Sequence, residues 1–410
     1  MTQITVPGRA ARNNDARIIP LVCAAHFVSH FYILVLPPLF PFIREFYNVS
    51  YTELGLALTV FNITTGLCQT PAGFLVDRIG ARSVLVAGLV VGAACLAIVG
   101  AIPSFWLMVG MFALFGVANS VYHPADYAIM SQLVSTERAS QAFSLHIFAG
   151  FLGTAVTPAT MLILQQVLGW QGAFLAASVM GLLVAALFLA QPAALFEAPP
   201  KPVRPVSERP TDDKAGWSLL LSPPILLNLL FFVMITFSTT GIQNYSVVAL
   251  GEGYGTPLPI ASGALTANLL LSALGVLAGG VLAARTSHHE WVAAGSFAGI
   301  AVTGVIIGAF DLNVALLFVV MSLNGFVNGL MQPLRDMIVR AVTPEGQFGK
   351  VFGFVTTGFN IGGIISPLMF GYVMDSGHPR AVFFMVGALS VLAILTLIPS
   401  FVRRRRKAAA

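Results

Sequence analysis

The chain is written in long apolar runs separated by short polar punctuation. Crossing a bilayer takes about 20 mostly apolar residues. Twelve stretches meet that length: 18–42, 52–76, 84–102, 104–131, 139–167, 171–190, 219–249, 257–284, 291–310, 313–341, 347–374 and 380–402. The runs are continuous, whereas strands of a membrane barrel alternate over about 10 residues. Each run therefore reads as a transmembrane helix. The first holds His26 and His30, lacks a small-residue cleavage site and is too long for a signal peptide, so it reads as a retained span. Residues 191–218 break the pattern with six prolines, mixed charges and almost no apolar period. They read as a flexible cytoplasmic linker. The expected organisation is a six-helix bundle over 1–190, the linker over 191–218, and a second six-helix bundle with a basic tail over 219–410. The fold class is all-α integral membrane.

Composition agrees and narrows the class. Hydrophobic residues make up 57% of the 410 positions and charged residues 9%, against about 25% charged in a soluble domain. That excludes a water-soluble protein of this length, and it excludes disorder, which needs low hydrophobicity and high charge. With the N-terminus in the cytoplasm, 19 of the 21 Lys and Arg residues fall on the cytoplasmic side and only Arg44 and Arg380 outside. The positive-inside rule then places both termini in the cytoplasm of a multi-pass protein of the cell (plasma) membrane. The net charge of +5 reflects this sorting and implies no nucleic acid. Cys23, Cys68 and Cys95 lie within apolar runs without metal-ligand spacing, so no metal and no cofactor are expected.

The halves carry matching punctuation. Gly116, Asn119 and Pro124 align with Gly325, Asn328 and Pro333 at an offset of 209, which continues through Phe143/Phe352, Gly153/Gly362 and Pro158/Pro367. Gly73, Leu75, Arg78 and Gly88 match Gly280, Leu282, Arg285 and Gly295 at an offset of 207. A register held over such a span indicates internal duplication, a common origin of transporter folds. The loop Gly73, Leu75, Asp77, Arg78, Gly80 and Arg82 resembles the signature between helices two and three of the major facilitator superfamily. Twelve spans and a central loop are similar to that superfamily too. Within it, His26, Leu54 to Phe61, Leu67 to Pro71 and Val121 to Pro124 resemble the fosmidomycin-resistance type of efflux protein. Three positions depart from the pattern. His30 stands where that group has an acid, Asp126 lies one residue beyond the usual carboxylate, and Phe112 replaces the fourth-span arginine of drug–proton antiporters. The resemblance implies a conformational latch in which Asp77 caps a helix N-terminus and meets Arg78, Arg82 or Arg138, with Gly73 and Gly80 allowing the turn.

Ionisable residues inside spans are costly and so are candidates for function. His26, His30, His123 and His146 all lie in first-half spans. At 1.5 Å per residue, His26, His123 and His146 sit roughly 10–15 Å from the cytoplasmic helix ends, at a common depth. Asn119, His123 and Asp126, spaced i, i+4, i+7, share a helical face. His30, His123, Asp126 and His26 are the proton-coupling candidates; bracing of helix packing stays open for each. Asp126 and Arg335 occupy equivalent positions in the two halves with opposite charge. They are the candidate gate between halves, although Arg335 pairing with adjacent Asp336 is the plainer alternative. Tyr32, Asn119, Tyr122, Gln243, Asn244, Tyr245, Asn328 and Asn360 are substrate-path candidates, with helix packing the plainer reading of any single one.

Other functions lack their residues. There is no phosphate-binding Gly-x4-Gly-Lys loop for a primary pump, and His289-Glu290 is not completed to a zinc-protease motif. No catalytic residue is expected. The sequence therefore predicts a monomeric secondary transporter in contact with lipid, moving a small molecule by alternating access. Proton-coupled efflux is the leading mode, with proton-coupled uptake of an organic anion or passive uniport as alternatives.

Overall fold

The computed structural model describes residues 9–196, 218–344 and 347–409. Most of the expected linker, including Lys201, Arg204, Arg209 and Lys214, lies outside the described residues. Among those described, the regular structure is entirely helical. The helices are α1 (Arg9–Ile33), α2 (Phe40–Tyr47), α3 (Tyr51–Ile79), α4 (Ala81–Ala101), α5 (Phe105–Asn119), α6 (Tyr122–Leu133), α7 (Thr136–Leu189), α8 (Pro223–Thr240), α9 (Ser246–Tyr254), α10 (Leu258–Arg285), α11 (His289–Ala309), α12 (Val314–Val342), α13 (Phe348–Asp375) and α14 (Ala381–Ala409).

Nine segments among the described residues are long and apolar enough to cross a membrane by length and composition. One of them, α7, is 54 residues long and turns at Gly169, whose φ of 72° ends one helix and starts another. With that division, the 29-residue α3 and the apolar Ala381–Leu397 part of α14, the described residues carry twelve helical passes. Large apolar side chains such as Val167 and Leu183 are 74% and 61% exposed. A soluble protein would cover a surface of this kind, and a lipid bilayer solvates it.

Proline sets the breaks inside these passes. Pro124 has no N–H for the carbonyl of Ser120, and its ring crowds that carbonyl. Helix α5 accordingly ends at Asn119 and α6 begins at Tyr122. The fourth span is therefore interrupted in its hydrogen bonding at Ser120 and Val121, whose backbone stays in the right-handed helical region. Pro37, Pro38 and Pro41 mark the end of the first span: α1 stops at Ile33, a short 3-10 turn follows, and α2 starts with a proline in its first turn. Between α8 and α9 the chain makes a π-turn over Gly241–Tyr245, inserting one extra residue into the helical register.

The chain forms two compact units. The first comprises Met1–Leu36 and Val60–Pro205, the second Pro37–Thr59 and Val206–Ala410. In the first unit α7 packs on both α1 and α4, and α5 on α4. Glycine permits these approaches. A methyl group on Gly116 would stand 2.3 Å from the Phe61 carbonyl oxygen, and one on Gly153 2.3 Å from that of Phe27. Asp15 is buried and accepts hydrogen bonds from the Ser135 amide (3.1 Å) and hydroxyl (2.6 Å), fastening the start of α7 to α1.

In the second unit α10 packs on α12, α11 on α14 and α13 on α8. Asn268 donates to Asn324 (3.1 Å), which donates to Thr303 (2.8 Å), a satisfied polar chain joining α10, α12 and α11. The Pro37–Thr59 segment is part of this unit. Ser50 and Glu53 form a reciprocal capping box at the start of α3. The Asp375 carboxylate accepts from the Tyr51 and Thr52 amides, both at 2.8 Å. Glu252 accepts from Arg44 (3.3 Å) and from the Tyr51 hydroxyl (2.6 Å).

Candidate functional site

Three helices of the first unit converge on one polar cluster. Helix α1 supplies His26 and His30 one turn apart, α6 supplies His123 and Asp126, and α7 supplies His146. The His26 and His146 rings stack with centroids 3.6 Å apart. His30 lies 4.5 Å and His123 5.3 Å from His26, centroid to centroid. Asp126 reaches its Oδ2 to within 3.4 Å of His26 Nδ1 and 4.0 Å of His146 Nε2. Space for the crossing comes from Gly150 on α7: a methyl group there would meet His26 Nε2 at 2.6 Å.

This cluster is enclosed and under-satisfied. Asp126 and His146 have no exposed surface and His26 has 4%. Both Asp126 carboxylate oxygens, both His146 ring nitrogens and His26 Nδ1 lack hydrogen-bond partners. His26 and His146 stand at ion-pair distance from the carboxylate, outside hydrogen-bonding geometry. Among the described residues, the ion-pair partners of Asp126 are these two histidines and include no Lys or Arg. His30 is held by Thr154, with Nδ1 3.2 Å from Oγ1. His123 is exposed and forms the accessible edge, with the Tyr127 ring stacked 6.0 Å away.

Other expected site residues lie elsewhere. Gly73, Asp77 and Arg78 lie in the last turns of α3 and Arg82 in the first turn of α4, so the expected loop is the single residue Gly80, at a φ of 91°, and Gly73 is helical and makes no turn. Asp77 is exposed beside a cavity of about 410 Å³. Arg82 does not meet Asp77. It donates to the carbonyls of Phe188 and Gln191, both at 2.8 Å, and lies over the Phe196 ring. The last carbonyls of a helix lack intrahelical donors and carry the negative end of its dipole. The C-terminal end of α7 thus supplies the acceptors that the guanidinium uses. Arg335 follows the plainer expectation: its Nε donates to Asp336 (2.8 Å), its Nη1 to Gln332 (2.6 Å), and the rings of Phe232 and Phe359 flank it.

Of the substrate-path candidates, Tyr32 and Tyr245 are fully buried and braced to backbone carbonyls. Tyr32 donates to Ala177 (2.8 Å) and accepts from the Gly181 amide (3.0 Å), while Tyr245 donates to Pro367. Tyr122 is buried with an unpartnered hydroxyl. Gln243 and Asn244 are part-exposed on the π-turn, as are Asn119, Asn328 and Asn360 on their helices, and Asn328 accepts from Gln332 (3.3 Å). Tyr32→Phe is expected to lower stability by about 1 kcal/mol, the usual worth of a buried hydrogen bond, and to leave the transport KM unchanged. Thermal melting and uptake curves on one preparation check this, and a raised KM at unaltered melting would place Tyr32 on the solute path instead.

Sequence reasoning underrated His146 and did not single out Tyr127, Thr154 or Gly150. For His146 the common depth was a usable signal. For the other three nothing in the linear pattern distinguishes them.

A twelve-pass helical fold around intramembrane titratable groups defines a polytopic transporter, and comparison with known proteins agrees. The model of the Major Facilitator Superfamily matches residues 22–258 and 237–410, and the chain belongs to that family. It is a multi-pass membrane transporter of small molecules, not an enzyme. It is 23% identical to the fosmidomycin resistance protein of Escherichia coli over 404 residues, covering 96% of each chain. It is also 23% identical to a probable sulfoacetate transporter of Cupriavidus necator over 395 residues, covering 91% of this chain and 90% of that one. The crystal structure of the nucleoside transporter NupG superposes with a TM-score of 0.75 at 12% identity, covering 94% of this chain and all of that one. That likeness concerns the fold alone.

Proposed function

We propose that the protein is a secondary active exporter of a small anionic or amphipathic solute, driven by proton entry across the cell membrane, with both termini in the cytoplasm. The observation that carries this reading is the Asp126 carboxylate, enclosed in the first bundle beside imidazoles and without a Lys or Arg partner. A negative charge in that setting needs a mobile cation to balance it, and a transporter that loads and unloads such a cation at opposite faces can drive a second solute. The export direction draws on the relative named for fosmidomycin resistance, which is matched over nearly its whole length.

A second reading is uptake of an organic anion. It is favoured by Arg335, a guanidinium 13% exposed between two aromatic rings, and by the relative named for sulfoacetate. Proteoliposomes loaded with a compound panel separate the two. Export predicts that an imposed proton gradient expels the solute from the more alkaline compartment, and that an ionophore collapsing the gradient stops it. Solute following the proton instead supports uptake. Flux indifferent to the gradient rejects both in favour of uniport.

A further inference from the structure

The buried cluster has a property that charge balance alone does not require. His26, His123 and His146 each offer a ligand atom, and the three atoms lie within 4.8 Å of one another. The Asp126 carboxylate stands against two of them, at 3.4 and 4.0 Å. We propose that His26, His123, His146 and Asp126 form a binding site for a divalent first-row transition ion of the zinc, cobalt or nickel kind.

The donor set selects the class of ion. Three imidazoles and one carboxylate suit these metals, whereas magnesium and calcium require oxygen ligands. Zinc binds imidazole nitrogen and carboxylate oxygen at about 2.0–2.2 Å in a tetrahedron, which sets neighbouring ligand atoms about 3.4 Å apart. The His26–Asp126 separation already has that value, the His146–Asp126 separation is 4.0 Å, and the three histidine atoms lie within 4.8 Å of one another, so filling the site draws the side chains together. Three neutral imidazoles and a carboxylate leave a single positive charge on the filled site, less than the bare ion brings into the bundle. The orphaned atoms point the same way. Polar groups buried this completely are ordinarily hydrogen-bonded, yet the carboxylate oxygens, His146 Nε2 and His26 Nδ1 are without partners. A bound ion would satisfy a carboxylate oxygen and one nitrogen of each ring. Exposed His123 gives the ion a way in, and the His30–Thr154 pair packs behind His26 without competing for the site. Linear spacing conceals this site, because its ligands come from α1, α6 and α7.

Metal binding is measurable on full-length protein in detergent without any transport. The chelator-stripped protein is titrated with Zn2+ by calorimetry and with Co2+ by visible absorption. We expect one equivalent per chain, with affinity falling at least about tenfold in Asp126→Asn and His146→Gln. It should be unchanged in His289→Ala and His378→Ala, which remove histidines outside the cluster. Zinc-edge X-ray absorption of the wild-type protein should show an N/O shell near about 2.0 Å with imidazole scattering, a result that needs no variant to fold. No stoichiometric binding, an oxygen-only shell, or affinity lost with His289 or His378 and kept without Asp126 would overturn the proposal. The inference concerns the same cluster as the proposed cation coupling, but its failure is separate. Flux can follow the proton gradient in a protein that binds no metal, and metal can bind in one whose flux ignores the gradient.

Discussion

Asp126→Asn is expected to leave the protein folded and to reduce coupled transport about 100-fold. Asparagine has the same shape, so packing around α6 is retained. What disappears is the charge. A carboxylate inside a span costs up to about 3 kcal/mol, and the protein carries it with no hydrogen bond to either oxygen. At about 1.4 kcal/mol per decade, surrendering that charge as the lever on the moving cation gives the expected loss. Thermodynamics predicts the opposite sign for stability: removing a buried, unpaired charge relieves a penalty, so the melting temperature holds or rises. Flux and melting recorded on one preparation decide the matter. A variant that melts earlier and transports normally would make Asp126 a structural residue and remove the basis for cation coupling.

The second large effect concerns stability. A methyl group on Gly325 would stand 1.8 Å from the Asn268 carbonyl oxygen, and one on Gly329 1.9 Å from that of Ser272. Both contacts lie along the crossing of α12 on α10, where backbone meets backbone and no side chain can yield. In lipid, helices associate through such close packing rather than through hydrophobic burial. Overpacking of this kind costs about 1–3 kcal/mol per site, so the Gly325→Ala, Gly329→Ala double variant is expected to melt at least about 5 °C earlier. Gly280→Ala and Gly295→Ala are the controls, since open space lies above both positions. In a helix interior alanine is preferred to glycine by about 1 kcal/mol, so these should melt at or above the wild type. Equal melting of all four proteins would mean that α10 and α12 do not approach as closely as described.

Much of the architecture could be read from the chain because apolar length and glycine position are local properties. The twelve runs became twelve helical passes, and the glycines paired at 209 both mark tight crossings: Gly116 against α3, Gly325 against α10. Proline was harder to place. Pro124 is plain in the sequence, but its effect falls four residues upstream, and a continuous apolar run conceals the break at Ser120. The cluster was half legible. Depth along each helix follows from residue counting, so His26, His123 and His146 could be expected at one level. Rotation about each axis does not follow, and neither does the gap at Gly150 that admits His26. Arg82, one of three arginines expected near Asp77, donates instead to the carbonyls at the end of α7, more than 100 residues away in the sequence. The π-turn at Gln243 and Asn244 was not legible, since the largely polar stretch 238–246 interrupts the apolar run without marking where one residue is inserted.

The allocation of Pro37–Thr59 to the second unit bears on how this protein can be divided. A cut in the segment between α7 and α8 would yield two polypeptides, neither of which is one of the two compact bodies. The carboxy-terminal piece would lack the 23 residues 37–59, including Tyr51 and Thr52, the donors that satisfy Asp375. The amino-terminal piece would hold those residues away from their acceptor. Fragment complementation therefore requires residues 37–59 of the amino-terminal piece to complete the body formed by the carboxy-terminal one. Residues 37–59 thus belong to the first half by sequence and to the second unit by packing.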